Sequence, residues 1–259
     1  MFEEKINDKL GVSKIGMSAD KILMDKQGQS VPYPLVKSSG FLYQVSGFSG
    51  SGKSTLLFSL ISRKKKNGIR QSYRKLFDDI VYCSPSSNTL KNNPLDDLDE
   101  GKKFNEFNNS VLDKIDEIIL ENMEEDEPKH TLLILDDVSV ALRKNRPLEN
   151  RLVNLANNRR HKNLSIIYIT QVFNQSPVGL RKNLNLLFIF KPKTKKEMDS
   201  LIDDYFMLDR KQVIKLFDFV YKTRYDFMII DFTLRENPDI EYFRNFNKVL
   251  IHNKDAERN

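Results

Sequence analysis

The chain has 259 residues, and its 42 basic against 36 acidic side chains give a formal net charge of +6. This length suits one large domain with a short extension, and a hydrophobic fraction of 39% is enough for a sizeable core. A single cysteine, Cys83, excludes a disulfide scaffold and a cysteine-cluster zinc site. Because the chain has no long apolar run and no signal-peptide pattern, we expect an intracellular, soluble protein without a membrane partner.

Charge is distributed unevenly along the chain. Residues 63–75 carry seven basic side chains and no acidic one, and residues 181–196 carry six basic and no acidic ones. Residues 143–163 hold seven basic side chains against one acidic, whereas residues 95–127 hold thirteen acidic against three basic. Separate basic segments suit a polyanionic partner such as nucleic acid, because each neutralised phosphate releases counterions. Solvated surface loops explain the same pattern equally well, so charge alone leaves both interpretations open.

The first predicted elements surround a glycine-rich segment. Residues 41–46 read as a strand, and residues 53–63 read as a helix. Between them, residues 47–54 match G-x-x-x-x-G-K-[ST], the P-loop or Walker A pattern. The glycines let backbone N–H groups turn inward around phosphate oxygens, and the N-terminus of the following helix adds positive charge.

This pattern predicts a binding site for the phosphates of ATP. Lys53 is expected to reach the β- and γ-phosphates, and Ser54 is expected to ligate Mg²⁺ through its hydroxyl. The alternative is a glycine turn that begins a helix by chance, which explains eight matching positions in the right context poorly. The predicted ATP-binding residues are Gly47, Ser49, Gly50, Ser51, Gly52, Lys53, Ser54 and Thr55.

A pair of carboxylates follows further along the chain. The elements predicted before it are a strand over 80–83, a loop over 86–103 and an amphipathic helix from 111. Residues 131–135 then predict a strand buried on both faces, which runs into Asp136 and Asp137. This arrangement resembles a Walker B motif, in which Asp136 would bind Mg²⁺ and Asp137 would polarise the attacking water. An acidic turn after a strand is the alternative.

A polar amide ends the next predicted strand. A helix over 148–160 precedes an apolar strand over 164–169, and Gln171 follows that strand. In a P-loop sheet this position lies beside the phosphates, so Gln171 is a candidate sensor of the γ-phosphate or of the lytic water. An ordinary loop glutamine is the alternative.

The remaining elements complete an alternating pattern. They are a strand over 186–190, a helical pair over 195–220 and a strand over 225–231. Strands that alternate with helices predict an α/β domain with a mainly parallel central sheet flanked by helices. We expect an N-terminal extension over 1–40, an ATPase domain over 41–245 and a C-terminal tail over 246–259. The aromatic side chains of residues 205–246 are predicted to lie in the core.

Three arginines are candidates for an arginine finger, which stabilises transition-state charge in the site of a neighbouring subunit. They are Arg159, Arg160 and Arg181, of which Arg160 is favoured. Arginine suits this role because its guanidinium is planar, multidentate and always charged. Each of the three is otherwise explained as a solvated surface side chain or as a DNA contact.

Taken together, these segments resemble the FtsK–HerA superfamily of P-loop ATPases. Within it, the chain looks like the virion DNA-packaging ATPases of poxviruses, giant viruses and virophages. The specific likeness is an Arg-His pair, an apolar strand that ends in Gln, and a Leu-Arg-x-Asn sequence. The segments that carry the resemblance are residues 47–54, 132–137, 159–161, 165–171 and 180–183, and it spans about 41–245.

The resemblance implies a RecA/FtsK-like fold and an ATP-driven motor that translocates double-stranded DNA into a preformed capsid. It also implies a homo-oligomeric ring, capsid proteins as partners, and a location in the host-cell cytoplasm at the viral factory or in the virion. Two positions depart from the family pattern. Asp137 stands where many relatives have Glu, and residues 184–190 lack the Arg of bacterial FtsK-like proteins.

The roles that follow are specific to this sequence. The predicted catalytic residues are Lys53, Asp137, Gln171 and Arg160, and the predicted Mg²⁺ ligands are Ser54 and Asp136. The candidate DNA-facing loops are residues 64–66, 143–146 and 191–196.

Two other functions stay open on the sequence. A P-loop nucleoside or nucleotide kinase shares the phosphate-binding loop, but it needs an arginine-rich lid and does not need the Asp-Asp and Gln pairing. A non-motor ATP-dependent switch would hydrolyse ATP slowly and without DNA. Phosphoryl transfer to a nucleoside would favour the kinase, and slow turnover that is independent of DNA would favour the switch.

Overall fold

The computed structural model describes residues 23–24, 31–61, 73–85, 95–233 and 240–251. In these residues nine strands form one sheet, and helices pack on both of its faces. The strands are β1 (Leu42–Ser46), β2 (Asp79–Cys83), β3 (Lys103–Phe104), β4 (Thr131–Asp136), β5 (Leu164–Thr170), β6 (Leu186–Phe190), β7 (Phe227–Asp231), β8 (Glu241–Arg244) and β9 (Asn247–Lys248). The helices are α1 (Lys53–Ile61), α2 (Asn109–Glu124), α3 (Ser139–Lys144), α4 (Arg146–Asn157), α5 (Val178–Arg181), α6 (Lys195–Tyr205) and α7 (Arg210–Val220).

The strand order is β3-β2-β4-β5-β1-β6-β7-β8-β9. Neighbouring strands are parallel from β3 to β6 and antiparallel from β6 to β9. The prediction of an α/β fold with a mainly parallel sheet flanked by helices is confirmed. The sequence does not predict β3, β8 and β9, because strands of two to four residues carry too short a hydrophobic pattern.

Capping side chains decide where several helices begin. The Asn108 side chain accepts a hydrogen bond from Val111 N, so α2 begins at Asn109 rather than at 111. The Asn145 side chain caps α4 in the same way, and the helix ends at Asn157 rather than at the predicted residue 160. Asp209 forms a capping box with Gln212, which begins α7 at Arg210 and so separates it from α6 within the predicted helical pair.

The core lies on both faces of the sheet. On one face α2, α4, α6 and α7 bury side chains such as Leu112, Leu152 and Val213. On the other face α1 packs with an aromatic group in which the Phe41 and Tyr43 rings are stacked at 4.1 Å between centroids. Strands β1, β4, β5 and β6 are buried along their whole length, as expected for parallel strands covered on both faces.

Segments next to the expected domain boundaries also take part in the fold. Val31 and Leu35 are buried in the core beside α1, and Leu23 N donates a hydrogen bond to Lys37 O at 2.7 Å. At the other end of the chain, β9 pairs with β8. The boundaries 1–40, 41–245 and 246–259 stay predictions.

The carboxyl ends of the parallel strands meet at one edge of the sheet. There β1 leads into Gly47, β4 leads into Asp137 and β5 leads into Gln171. Because β5 lies between β1 and β4, Gln171 follows the strand that separates the glycine-rich loop from the carboxylates. Ligands of open α/β sheets bind in the crevice outside this edge.

Candidate active site

The glycine-rich loop forms a tight cradle between β1 and α1. Gly50 and Gly52 have φ values of 76° and 111°, a backbone conformation that side-chain-bearing residues rarely adopt. At Gly47 an added Cβ would lie only 2.7 Å from both Phe190 Cβ and Ser51 Oγ. The Ser51 hydroxyl is buried and has no hydrogen-bond partner among the residues that the structure describes. The loop therefore fits the P-loop conformation that its sequence predicts.

Lys53 folds its side chain back over this cradle. Its Nζ donates to Gly47 O at 2.6 Å and to Phe48 O at 3.1 Å. Burial lowers the pKa of Lys53, and the nearby Asp136 and Asp137 carboxylates oppose that shift. The structure thus places one cation and two anions of the predicted site close together.

Asp136 is the buried member of the carboxylate pair. It ends β4 and is 7% exposed. Burial, reinforced by the charge of Asp137, raises the pKa of Asp136 to about 6, although the Lys53 ammonium acts in the opposite direction. A desolvated carboxylate of this kind is stabilised by a further positive charge.

The donor set at this position fits Mg²⁺. The half-buried Ser54 hydroxyl and the Asp136 carboxylate both offer oxygen, the ligand atom that Mg²⁺ prefers. In the described part of the chain no group of three His, Cys, Asp or Glu side chains could hold a metal. Such a sparse protein contribution is usual for Mg²⁺, which takes its remaining ligands from phosphates and water.

Asp137 and Gln171 form a direct pair. Gln171 Nε2 donates to Asp137 Oδ2 at 2.6 Å. Asp137 has a left-handed backbone with a φ of 59°, and its N–H donates to Ile169 O at 3.1 Å. The turn after β4 is therefore anchored to β5, which keeps the Asp137 carboxylate beside the amide of Gln171. The sequence singles out both residues but does not show that they touch.

The three candidate arginines lie in different surroundings. Arg159 is 6% exposed and donates to Gly40 O, Ala156 O, Asn183 O and Asn185 Oδ1, so its guanidinium serves packing within the chain. Burial lowers the pKa of Arg159 to about 10, an effect to which the charge of Arg160 adds. Arg181 pairs with Asp204 at 2.9 Å and lies over the Phe173 ring. Arg160 is exposed just before β5, at the edge of the sheet opposite Gln171.

A pocket of about 550 Å³ adjoins the P-loop. It extends along the start of α1 to the exposed rings of Tyr225 and Phe246. The preceding residue, Arg224, has a guanidinium nitrogen 3.9 Å from where a Cβ on Gly50 would lie. The sequence does not single out Arg224, Tyr225 and Phe246 as site residues, because each is brought to the loop only by the fold. Core burial is right for Tyr242 and Phe243, but it is wrong for Phe219, Tyr225 and Phe246, which are 50%, 59% and 43% exposed.

Comparison with known families identifies the group to which the chain belongs. Residues 33–256 match the family described as "Poxvirus A32 protein". The chain belongs to the poxvirus A32 protein family. A comparison of this A32-family chain with curated protein sequences found no match.

Solved structures of low sequence identity share the fold of this A32-family chain. B204, the DNA-packaging ATPase from Sulfolobus Turreted Icosahedral Virus, is 16% identical, with a TM-score of 0.55 over 83% of this chain and 99% of that chain. B204 from Sulfolobus turreted icosahedral virus 2, in complex with ATP-gammaS, is 17% identical, with a TM-score of 0.52 over 82% and 98% of the two chains. EssC (ATPases 2 and 3) from Geobacillus thermodenitrificans is 16% identical, with a TM-score of 0.54 over 84% of this chain and 41% of that chain.

The family and the fold confirm the central predictions. The A32-family chain is a P-loop ATPase of the viral genome-packaging class, as its resemblance to the FtsK–HerA superfamily implies. ATP as the nucleotide is in line with the ATP-gammaS complex of B204. Membership of this family sets the protein in the context of a virus and its infected cell. Among the described residues, no helix is both long enough and apolar enough to span a bilayer.

Proposed function

We propose that this chain is a motor that hydrolyses ATP and translocates double-stranded DNA into a viral capsid. The observation that carries the proposal is the Asp137–Gln171 hydrogen bond beside the P-loop. It joins a carboxylate that can activate water to an amide that can respond to the loss of a phosphate. A P-loop that served only a structural role would not need this pair, whereas a site that hydrolyses ATP does.

In the proposed mechanism each residue of the edge has one task. The Lys53 ammonium leaves the carbonyls of Gly47 and Phe48 and binds the β- and γ-phosphates, while the loop N–H groups hold the phosphate oxygens. Ser54 and Asp136 would hold Mg²⁺, which, when bound, supplies positive charge to the phosphates. Asp137 orients the attacking water and accepts its proton through the carboxylate.

Gln171 connects the chemistry to movement. Its amide holds Asp137 Oδ2, and it lies on the segment that leaves β5 at the phosphate edge. When the γ-phosphate departs, the amide exchanges partners, and the segment after β5 shifts with it. In this proposal the segment after β5 has two arrangements, one with the Gln171 amide bound to Asp137 and one with it bound to the γ-phosphate. A motor cycle requires two such arrangements.

The proposed DNA contacts lie at the same edge. The segments predicted as loops are partly helical: residues 143–146 cover the end of α3 and the start of α4, and residues 191–196 run from the loop after β6 into the start of α6. Both basic segments flank the carboxyl ends of the strands. The Lys193 ammonium lies 4.0 Å from the centroid of the Phe48 ring in the P-loop. The third candidate loop, residues 64–66, lies outside the described residues. Contacts from lysine and arginine to DNA phosphates carry no sequence information, which suits a motor that must package any sequence.

The proposed assembly is a homo-oligomeric ring that acts with capsid proteins. Arg160 and Gln171 lie at opposite ends of β5, whose seven residues span about 20 Å at a rise of about 3.3 Å per residue. In the proposed ring, Arg160 therefore acts in the site of a neighbouring subunit. The proposed location is the viral factory in the host cytoplasm and the virion.

The test is the rate of ATP hydrolysis by the purified chain with and without double-stranded DNA at increasing salt. We expect strong stimulation by DNA that fades between about 50 and 200 mM salt, because phosphate contacts are lost as counterions compete. Lys53→Ala serves as the blank and should lower hydrolysis at least about 100-fold. Hydrolysis that DNA does not change, or transfer of phosphate to a nucleoside, would contradict the motor.

A pair of charge variants sharpens this test. Replacing Lys191 and Lys196 with Ala should weaken DNA stimulation and leave the rate without DNA unchanged. Replacing Lys211 and Lys215, two exposed lysines of α7, with Ala removes the same charge and is the matched control. Equal loss of stimulation in the control would show that the effect is general charge rather than a DNA-facing loop.

A further inference from the structure

The pocket beside the P-loop has a polar part and an aromatic part. The polar part is lined by Lys53 and Ser54, the residues expected to bind phosphates and Mg²⁺. Thr55 and Ser59 line the pocket on the exposed face of α1, one helical turn apart, or about 5–6 Å. The aromatic part includes the exposed rings of Tyr225 and Phe246. Its volume of about 550 Å³ is in the range of small-ligand pockets.

The aromatic part of the pocket is built from several neighbouring rings. Phe227 packs against Phe190 and against Phe246, with ring centroids 5.5 and 5.4 Å apart. Tyr225 lies against the P-loop, since a Cβ on Gly52 would lie 3.5 Å from its Cδ1. Tyr225 and Phe246 keep about half of their surface exposed, although the neighbouring Phe190 and Phe227 are buried. The Arg224 guanidinium lies over the Tyr225 ring, 5.4 Å from its centroid, so a base has to stack on the part of this ring that the guanidinium does not cover. Exposed aromatic rings beside a polar cleft are the usual surface for stacking a base.

The turn that carries Tyr225 is held in place by a buried carboxylate. Asp226 accepts hydrogen bonds from Thr223 N at 2.7 Å, from Arg244 at 3.1 Å and from Asn245 at 3.1 Å. These bonds tie the turn before β7 to the hairpin between β8 and β9. The position of Tyr225 is therefore fixed before any ligand arrives, which lowers the entropy lost on binding.

We propose that this pocket holds the nucleoside of the bound nucleoside triphosphate, with the base against Tyr225 and Phe246. This inference rests on one part of the proposed function, the binding of a nucleoside triphosphate by the P-loop. Stacking contacts the face of a base, which all purines share. The Ser59 hydroxyl donates its hydrogen to Thr55 O at 2.7 Å, so it can offer a base edge only an acceptor, which an N–H of either adenine or guanine can meet. The chain thus binds ATP and GTP with similar affinity.

The experiment measures the dissociation constants of ATP, GTP and inorganic tripolyphosphate, each with Mg²⁺, for the full-length chain. Tyr225→Ala should weaken ATP and GTP by about tenfold each, because it removes one stacking contact. Its affinity for tripolyphosphate should not change, which also shows that the P-loop is intact. Tyr225→Phe, which keeps the ring, should restore nucleotide affinity. Phe219→Ala is the matched control, since this half-exposed ring does not line the pocket.

Three outcomes would overturn the inference. They are unchanged ATP affinity in Tyr225→Ala, an equal loss of tripolyphosphate affinity, and a preference of more than about 100-fold for ATP over GTP in the unaltered chain. These outcomes are separate from those of the motor test. If DNA does not stimulate hydrolysis but the nucleotide affinities change as expected, only the proposed motor is contradicted. If DNA stimulates hydrolysis but the affinities do not change as expected, only the proposed base pocket is contradicted.

Discussion

At the scale of single residues, the site depends on charged side chains that stabilise one another, because each of them would be costly to bury alone. Lys53, Asp136 and Asp137 lie at one edge of the sheet, where burial lowers the pKa of the lysine and raises the pKa of Asp136 to about 6. Asp137 is half-buried and bonded to Gln171, which leaves its other carboxylate oxygen for water. The two neighbouring aspartates therefore have different environments and can serve different roles.

The roles of the two carboxylates give a direct prediction. Asp137→Asn should retain ATP binding and reduce turnover by about 100-fold or more, because the amide can still bond Gln171 but cannot accept the proton of water. Binding is measured by ATP titration and turnover by phosphate release. Gln171→Glu is a useful companion, since it places two carboxylates together and should also slow turnover. Near-normal turnover in Asp137→Asn would remove this residue from catalysis.

At the scale of elements, the turn before β7 is the part of the site that depends most on a single carboxylate. Burial on its own would raise the pKa of Asp226, but hydrogen bonds from Thr223 N, Asn245 and Arg244, together with the Arg244 charge, lower it to about 2. The ionised form thus stabilises the folded chain. This turn links the β8–β9 hairpin to the rim of the P-loop pocket.

The lowered pKa of Asp226 predicts how stability changes with pH. The stabilising contribution is complete above the ordinary pKa of about 3.9 and is lost as the pH falls towards about 2. Asp226→Asn should lower the free energy of unfolding by about 2 kcal/mol at pH 6, since it weakens hydrogen bonds to a charged group. The difference from the unaltered chain should shrink below about pH 4.

Urea unfolding at several pH values checks this expectation. Asp218→Asn, which removes an exposed carboxylate from α7, is the control and should stay close to the unaltered chain. A difference for Asp226→Asn that stays constant from pH 6 to pH 3 would contradict the assigned ion pair and hydrogen bonds.

At the scale of the whole molecule, the arrangement of arginines favours a site completed by a second subunit. Arg159 is used within the chain, and Arg181 pairs with Asp204. Arg160 is exposed just before β5, at the edge of the sheet opposite the P-loop, and so lies at a distance from its own site. An arginine finger in this chain is therefore proposed to act between neighbouring copies in a ring.

Mixing experiments test that arrangement. Arg160→Ala protein should bind ATP yet hydrolyse it about 1,000-fold more slowly, because a finger stabilises charge only in the transition state. Added to unaltered protein, it should reduce turnover more steeply than simple dilution does. Lys215→Ala is the matched control and should only dilute. A linear decrease with Arg160→Ala, or a steep one with Arg181→Ala instead, would contradict the assignment of Arg160.

The sequence by itself determined the parts of this protein that short patterns encode. The P-loop, the buried strands β1, β4 and β5 and the polar residues after them can be read locally, because glycine spacing and apolar runs reflect backbone and burial needs within a few residues. Only the tertiary structure decided what those parts touch. The order β4-β5-β1 places Gln171 against Asp137, and Arg159 becomes a packing residue because Gly40 and Asn185 approach it. Tyr225 and Phe246 reach the P-loop through antiparallel strands that carry no motif, since contacts between distant segments leave no local pattern in a single sequence.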